Sequence, residues 1–330
     1  MTAQERIGAV LAGRMPDRPP VSFWHHFPPD AQAGRAAVDA HLNFLSRFDV
    51  DFLKVMNDNS YPCDVTVRNA SDLRALPVLE GTEAGFDRQL DLIRALAAEV
   101  GGRVPLVTTI FNAWAVMRYI AVPRTDPRHH PPDLSREMPP RDEHMAELIA
   151  EDRTAVGKGL DAIARSLANF ARRCIEAGAD GIFLSVRDEF VSTEANGPGT
   201  YDELARPGDG RILTAASEGT LNVLHVCGHP RDFAAFADYP VHAVNWADRA
   251  AGPPIAEVVG QTRAAICGGV DNLSTLPEGK PADVVAEVHD AVRQAGDRPI
   301  VIAPGCTFDP QKVPEENLQA MLHAAWEAKY

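Results

Sequence analysis

Short apolar runs alternate with stretches whose apolar residues recur three and four apart, and the alternation extends from one end of the chain to the other. Runs of strand length lie at Pro20 to Phe23, Asp51 to Met56, Val104 to Ile110, Gly181 to Val186, Leu221 to Val226, His242 to Trp246, Ala265 to Val270 and Pro299 to Ala303. The helical period fills the intervals, at Ala36 to Arg47, Phe86 to Val100, Leu148 to Ala177, Arg211 to Gly219, Arg231 to Ala237, Ile255 to Ala264, Pro281 to Ala295 and Glu315 to Ala328. Leu160, Ile163, Leu167, Phe170, Cys174 and Ile175 form one such stripe, able to cover a sheet. This is the pattern of repeated strand–helix units around a parallel sheet. Eight units in 330 residues predict a closed (β/α)8 TIM barrel as a single domain over 1–330 with an N-terminal helical extension. An open doubly wound sheet is the alternative.

One stretch breaks the rhythm. Residues 122–145, VPRTDPRHHPPDLSREMPPRDEHM, are rich in proline, charge and histidine and have no period. They read as a loop insertion at the barrel mouth, either a lid or a plain exposed loop.

Composition narrows the class. Apolar residues make up 45% and charged residues 24%, as in soluble globular proteins, and no apolar run reaches the about eighteen residues of a spanning helix. The first twenty residues lack the basic, apolar and small-residue regions of a secretory signal, so a cytoplasmic location is expected. The net charge of −14 opposes binding to a phosphate backbone. Five scattered cysteines are too few for a disulfide framework and point instead to free thiols or metal ligands.

Two of the apolar runs end in such chemistry. Leu221 to Gly228 reads LNVLHVCG and Ile300 to Cys306 reads IVIAPGC. His225 and Cys227 are two apart, so on an extended strand both side chains take the same side. If both runs lie in one parallel sheet, Cys306 can meet them at its carboxyl edge, where barrels gather their reactive residues. Three N/S ligands with an open fourth position describe a catalytic zinc site; ordinary buried cysteines and a hydrogen-bonded core histidine are the competing reading.

The sequence resembles the superfamily of uroporphyrinogen decarboxylases and zinc-dependent methylcobamide:thiol methyltransferases, among them the methylcobamide:coenzyme M methyltransferases. The resemblance rests on FDVDFLKVMND, VPLVTTIF, CIEAGADGIFLSVRDEF, YDELARPGDGRIL, LHVCGHP, VNWAD, CGGVDNL and APGCTFDPQKVPEENLQAM, which span most of the chain. It implies that His225, Cys227 and Cys306 are zinc ligands, as in the methyltransferase branch. The decarboxylase branch carries an RQAGR motif after the first strand. This chain has VSFWHHF there and only a partial AQAGR ending at Arg35, which disfavours a highly carboxylated tetrapyrrole substrate.

The same resemblance puts Asp58 in the place of the decarboxylases' catalytic aspartate, with a turn role in NDNS as the alternative. It makes Asp248 a possible fourth ligand that yields to a substrate thiol, helix N-capping being the competing role. His25 or His26, Arg187 with Asp188 and Glu189, and Asp271 follow strands and are candidates for substrate contact, or else for ion pairs around the rim. The implied activity is a zinc-dependent methyltransferase that methylates a small-molecule thiol from a methylcobamide on a corrinoid protein, or from a similar donor. A metal-independent decarboxylase or lyase acting on a small carboxylated substrate is the alternative, and a homodimer is the base-rate expectation for assembly.

Overall fold

A computed structural model describes residues 1–122 and 138–328. Its centre is an all-parallel seven-stranded sheet in sequential order: β1 (Leu53–Val55), β2 (Leu106–Phe111), β3 (Gly181–Val186), β4 (Val223–Val226), β5 (Ala243–Trp246), β6 (Ala265–Val270) and β7 (Ile300–Pro304). Around it run α1 (Ala3–Leu11), α2 (Gly34–Phe48), α3 (Ala70–Ala75), α4 (Ala84–Val100), α5 (Ala113–Ala121), α6 (Pro140–Glu176), α7 (Arg206–Ala215), α8 (Ile255–Val258), α9 (Thr275–Glu278), α10 (Pro281–Ala295) and α11 (Glu315–Glu327). The sheet curls into a TIM-like α/β architecture. No described helix is long and apolar enough to cross a membrane.

The expected first strand, Pro20 to Phe23, differs: it makes a single bridge, Val21 to Ile302 of β7. Pro19 and Pro20 have no N–H to give a ladder, and the N–H of Val21 donates to the Asp51 carboxylate (2.8 Å). The segment still bonds to both edges of the sheet. On one side the Ser22 N–H donates to the Ile302 carbonyl (3.0 Å) and the Ile302 N–H to the Pro20 carbonyl (2.8 Å). On the other, the Asp51 N–H donates to the Val21 carbonyl (2.8 Å) and the Ser22 hydroxyl to the Phe52 carbonyl (2.8 Å).

Because successive strand residues face opposite ways, the core is divided in two. Leu53, Val55, Ile182, Leu184, Leu224, Val226, Val244 and Ile266 pack with the helices. Trp24, Met56, Val107, Phe183, Val223, Ala243, Cys267 and Val301 form a smaller cluster inside the curl. Helix α1 adds Ile7 and Val10 to that inner cluster, and its Arg6 reaches Asp51 just before β1 (3.0 Å).

Several helices depart from the expected pattern. Only Ile255–Val258 is helical in the stretch expected over 255–264, and a single 3-10 turn, Phe233–Phe236, replaces the helix expected at 231–237. The long helix begins at Pro140, so residues 140–145 of the expected insertion are helical, while 123–137 lie outside the described residues. Within α6 the backbone breaks at Asp152, whose carboxylate caps the Ala155 N–H (2.9 Å). Helix α5 is absent from the sequence reading because nearly every residue in it is buried, which erases the amphipathic period.

Candidate metal centre

The carboxyl ends of β4 and β7 deliver the three soft donors. His225 lies in β4, in register with Ser185 of β3 and Asn245 of β5. Cys227 extends the ladder one step further, its N–H donating to the Val186 carbonyl (2.8 Å). The chain then turns at Gly228, where φ is +78° and a Cβ would stand 2.7 Å from Glu189 Oε2, so only glycine suits. Past β7 the Gly305 N–H donates to the Val270 carbonyl (3.1 Å). A Cβ there would lie 2.5 Å from Ala247 Cα, so glycine permits the approach that brings Cys306 inward.

The donor atoms of His225, Cys227 and Cys306 lie within 4.8 Å of one another. His225 is buried and the two cysteines are half-buried, and His225 Nε2 is 3.4 Å from Cys306 Sγ. Tetrahedral zinc with bonds of about 2.0–2.3 Å sets ligand atoms roughly 3.5 Å apart, so the donor set and its spacing fit that ion.

Asn245 determines which imidazole nitrogen faces the cysteines. Its Nδ2 donates to the carbonyls of Cys267 (2.8 Å) and Pro304 (3.1 Å), which turns Oδ1 toward His225 Nδ1 at 2.6 Å. Nδ1 must therefore carry the proton, and Nε2 presents its lone pair to the centre. Phe183 packs against the ring, with centroids 5.3 Å apart. The hydrogen bond between the two sulfurs pushes the Cys306 thiol well below its usual range and the Cys227 thiol well above it.

A further group in the curl was not singled out from sequence. Lys54 of β1 is buried, with Nζ 3.9 Å from the Phe183 centroid and 5.0 Å from that of Trp24. Burial pushes its ammonium down to about 8, against the attraction of Cys306, Cys227 and Asp58.

The other sequence candidates are distributed as follows. Asp248 is not among the three clustered donors: its carboxylate accepts from the Gly269 N–H (2.9 Å), and burial raises it to about 6. Nor does it cap a helix, since α8 starts at Ile255 after Pro254. Asp271 accepts from the N–H groups of Leu273 (2.7 Å) and Ser274 (3.2 Å) and from the Ser274 hydroxyl (2.6 Å), so it builds the turn before α9. Arg187 pairs with Glu189 beside Gly228 and lies over Phe190. Asp188 accepts from the Arg231 N–H (3.1 Å).

At the rim, Asp58 accepts from Nδ1 of His26 (2.6 Å). His25 Nδ1 donates to the His26 carbonyl (2.9 Å), and the ring sits among Phe27, Phe44 and Phe308. A surface cleft lies between His26, Phe27 and Pro28 on one side and residues 307–311 on the other. Thr307, which lines it, has Oγ1 3.8 Å from Cys306 Sγ.

In comparisons with known proteins, the family described as uroporphyrinogen decarboxylase (URO-D) matches residues 55–328. No curated protein sequence matches. Among solved structures, a methyltransferase from Methanosarcina mazei superposes with TM-score 0.72 at 18% identity, covering 98% of each chain. A B12-independent methionine synthase from Shewanella sp. W3-18-1, in complex with selenomethionine, gives 0.57 at 11% identity over 94% of this chain and 97% of that one. A putative vitamin-B12 independent methionine synthase from Listeria monocytogenes gives 0.52 at 13% over 88% and 85%. At these identities the likeness is one of fold.

Proposed function

The chain belongs to the uroporphyrinogen decarboxylase (URO-D) family, and from that premise we propose that it is a zinc-dependent methyltransferase acting on a small thiol. The observation that carries this reading is the convergence of His225, Cys227 and Cys306 within 4.8 Å at the strand ends. His225 through Nε2 and the two cysteines through sulfur would hold Zn²⁺, leaving a fourth position for substrate. Zinc supplies Lewis-acid chemistry that keeps a thiol deprotonated at neutral pH.

The residues of the chain do the rest. Asn245 holds the imidazole tautomer, and Gly228 and Gly305 let the ligand loops close on each other. The cleft beside Thr307 admits the thiol, with Asp58, His26 and His25 at its rim to contact polar parts of the substrate. Arg187 lies beside the Cys227 loop. The methyl donor in this reading is a methylcobamide presented by a corrinoid protein, or a donor of similar reactivity. We also infer that Pro20 to Phe23 acts as the eighth stave, completing a single-domain barrel that assembles as a homodimer in the cytoplasm. A metal-independent decarboxylase would rely on Asp58 and rim arginines, and the pairing of Arg187 with Glu189 favours that less.

The test combines metal analysis with a scan of small thiols against methylcobalamin. Stoichiometric zinc, a methylated thiol product, and loss of both in Cys306→Ser are expected. Protein purified without zinc, or a Cys306→Ser variant with undiminished turnover, would end the proposal.

A further inference from the structure

The proposed reaction leaves unexplained a buried cation, Lys54. Its neighbours in β1, Leu53 and Val55, face the helices, so its own side chain lies inside the curl. Only 6% of it is exposed. An ammonium in such surroundings needs compensation. Two aromatic faces, Phe183 and Trp24, supply part of it. Among the described residues, no carboxylate pairs with it within ion-pair distance.

Two other cations near the centre have carboxylate partners in contact. Arg118 and Arg187, the two guanidinium groups that act on Cys227, are neutralised by Asp142 and Glu189. Asp58 is hydrogen-bonded to His26. With two thiolates, a neutral imidazole and a divalent ion, the metal centre carries no net charge. Lys54 has no such partner in contact; it shares Phe183 as a neighbour with the ligand His225, and the charges of Cys306, Cys227 and Asp58 act on it, so its positive field reaches the centre. An anion that arrives with the substrate at the centre meets that field.

We propose that Lys54 is the counter-charge for the substrate's sulfur, compensating the negative charge that a thiol brings when it binds at the centre as thiolate. In that binding step the S–H bond breaks, its electron pair remains on sulfur and the proton leaves to bulk water. Lys54 touches neither bond and acts as a positioning residue through its field, favouring a thiolate ligand over a neutral one. This rests on the zinc and thiol reading given above.

The experiment uses the full chain loaded with Co²⁺, whose absorption reports the fourth ligand without turnover. Wild type, Lys54→Met and Lys54→Gln are titrated with 2-mercaptoethanol, with 3-mercaptopropionate and with imidazole as a neutral donor, after metal content and circular dichroism show each protein loaded and folded. Both variants are expected to keep stoichiometric metal, bind both thiols at least about tenfold more weakly and bind imidazole unchanged. Equal weakening for imidazole would mean a merely structural role and overturn the inference. Weakening for 3-mercaptopropionate alone would assign Lys54 to the substrate's tail and overturn it as well. Unchanged thiol affinity in metal-loaded variants defeats this inference alone, whereas a wild type that takes up no metal defeats the reading of the site and this inference together.

Discussion

His225 Nδ1 lies 2.6 Å from Asn245 Oδ1, and the amide of Asn245 is held on its far side by the carbonyls of Cys267 and Pro304. Pro304 is two residues before Cys306, so a single side chain ties the strand that carries the histidine to the strand that delivers the distant cysteine. Asn245→Ala frees the ring to rotate and to change tautomer while leaving all three ligands in place. Loss of such an outer partner lowers metal affinity by about 10–100-fold. Competition for zinc against a chromophoric chelator measures this, and an affinity equal to wild type would show that the hydrogen bond does not orient the ligand.

Cys267 tests whether position or mere presence of a thiol matters. It lies inside the curl on β6, fully buried, and burial pushes its thiol well up, so it is held as a neutral thiol. It is not one of the three clustered donors. Cys267→Ala is expected to retain one zinc per chain, whereas Cys227→Ala and Cys306→Ala lose it. Metal content by elemental analysis decides the matter, and zinc loss in Cys267→Ala would mean that the ligand set has been misassigned.

The three soft donors were legible in the sequence because two need only the period of an extended strand and the third needs only a parallel partner strand. Neither condition depends on where a strand begins or ends. Lys54 and Asn245 were not legible, since what makes them consequential is distant in the chain: Phe183 and Trp24 around one, His225, Cys267 and Pro304 around the other. Asp248 has a contact of the same distant kind. Its place after a strand suits a ligand, but the Gly269 N–H on the next strand takes the carboxylate, and sequence carries no sign of that claim. The first strand makes a single bridge because Pro19 and Pro20 offer no N–H and the Val21 N–H goes to the Asp51 carboxylate, a partner thirty residues away that an apolar run does not reveal.

Asp58 separates the two chemistries that share this family. Its carboxylate sits at the rim with Nδ1 of His26 at 2.6 Å. A general acid or base in the chemical step would make Asp58→Asn cost about 10²–10⁴-fold in turnover. A rim residue that helps hold a polar substrate should cost less than about tenfold in kcat, mostly as a higher KM, with zinc content unchanged. The methyltransferase reading requires the second result. A collapse of kcat with zinc intact would instead favour the decarboxylase or lyase.

Behind the sheet, Asp209 of α7 offers a test of the fold by pH. It is fully buried and accepts from Asn112 Nδ2 (3.0 Å), the Tyr201 hydroxyl (2.6 Å) and the Tyr239 hydroxyl (2.9 Å). Asn112 also caps α5 through the Ala115 N–H (2.9 Å), so the cluster joins the end of β2 to α7. Burial raises the Asp209 carboxyl from its ordinary 3.8 to about 6, the hydrogen bonds opposing it. Between those values the folded protein holds a proton that the unfolded chain has released. The contribution of this group to stability is therefore complete below pH 4, declines as pH rises through about 6 and is level above that. The decline is of the order of 2–3 kcal/mol, from a shift of about two pH units. Asp209→Asn carries no such proton, and the tyrosine hydroxyls can rotate to accept from its amide. Asp188 and Asp248, which burial also raises to about 6, titrate alike in both proteins and cancel. Urea unfolding at pH 4.5 and pH 7 should thus show wild type losing more stability over that interval than Asp209→Asn, and parallel losses in the two proteins would refute the assignment.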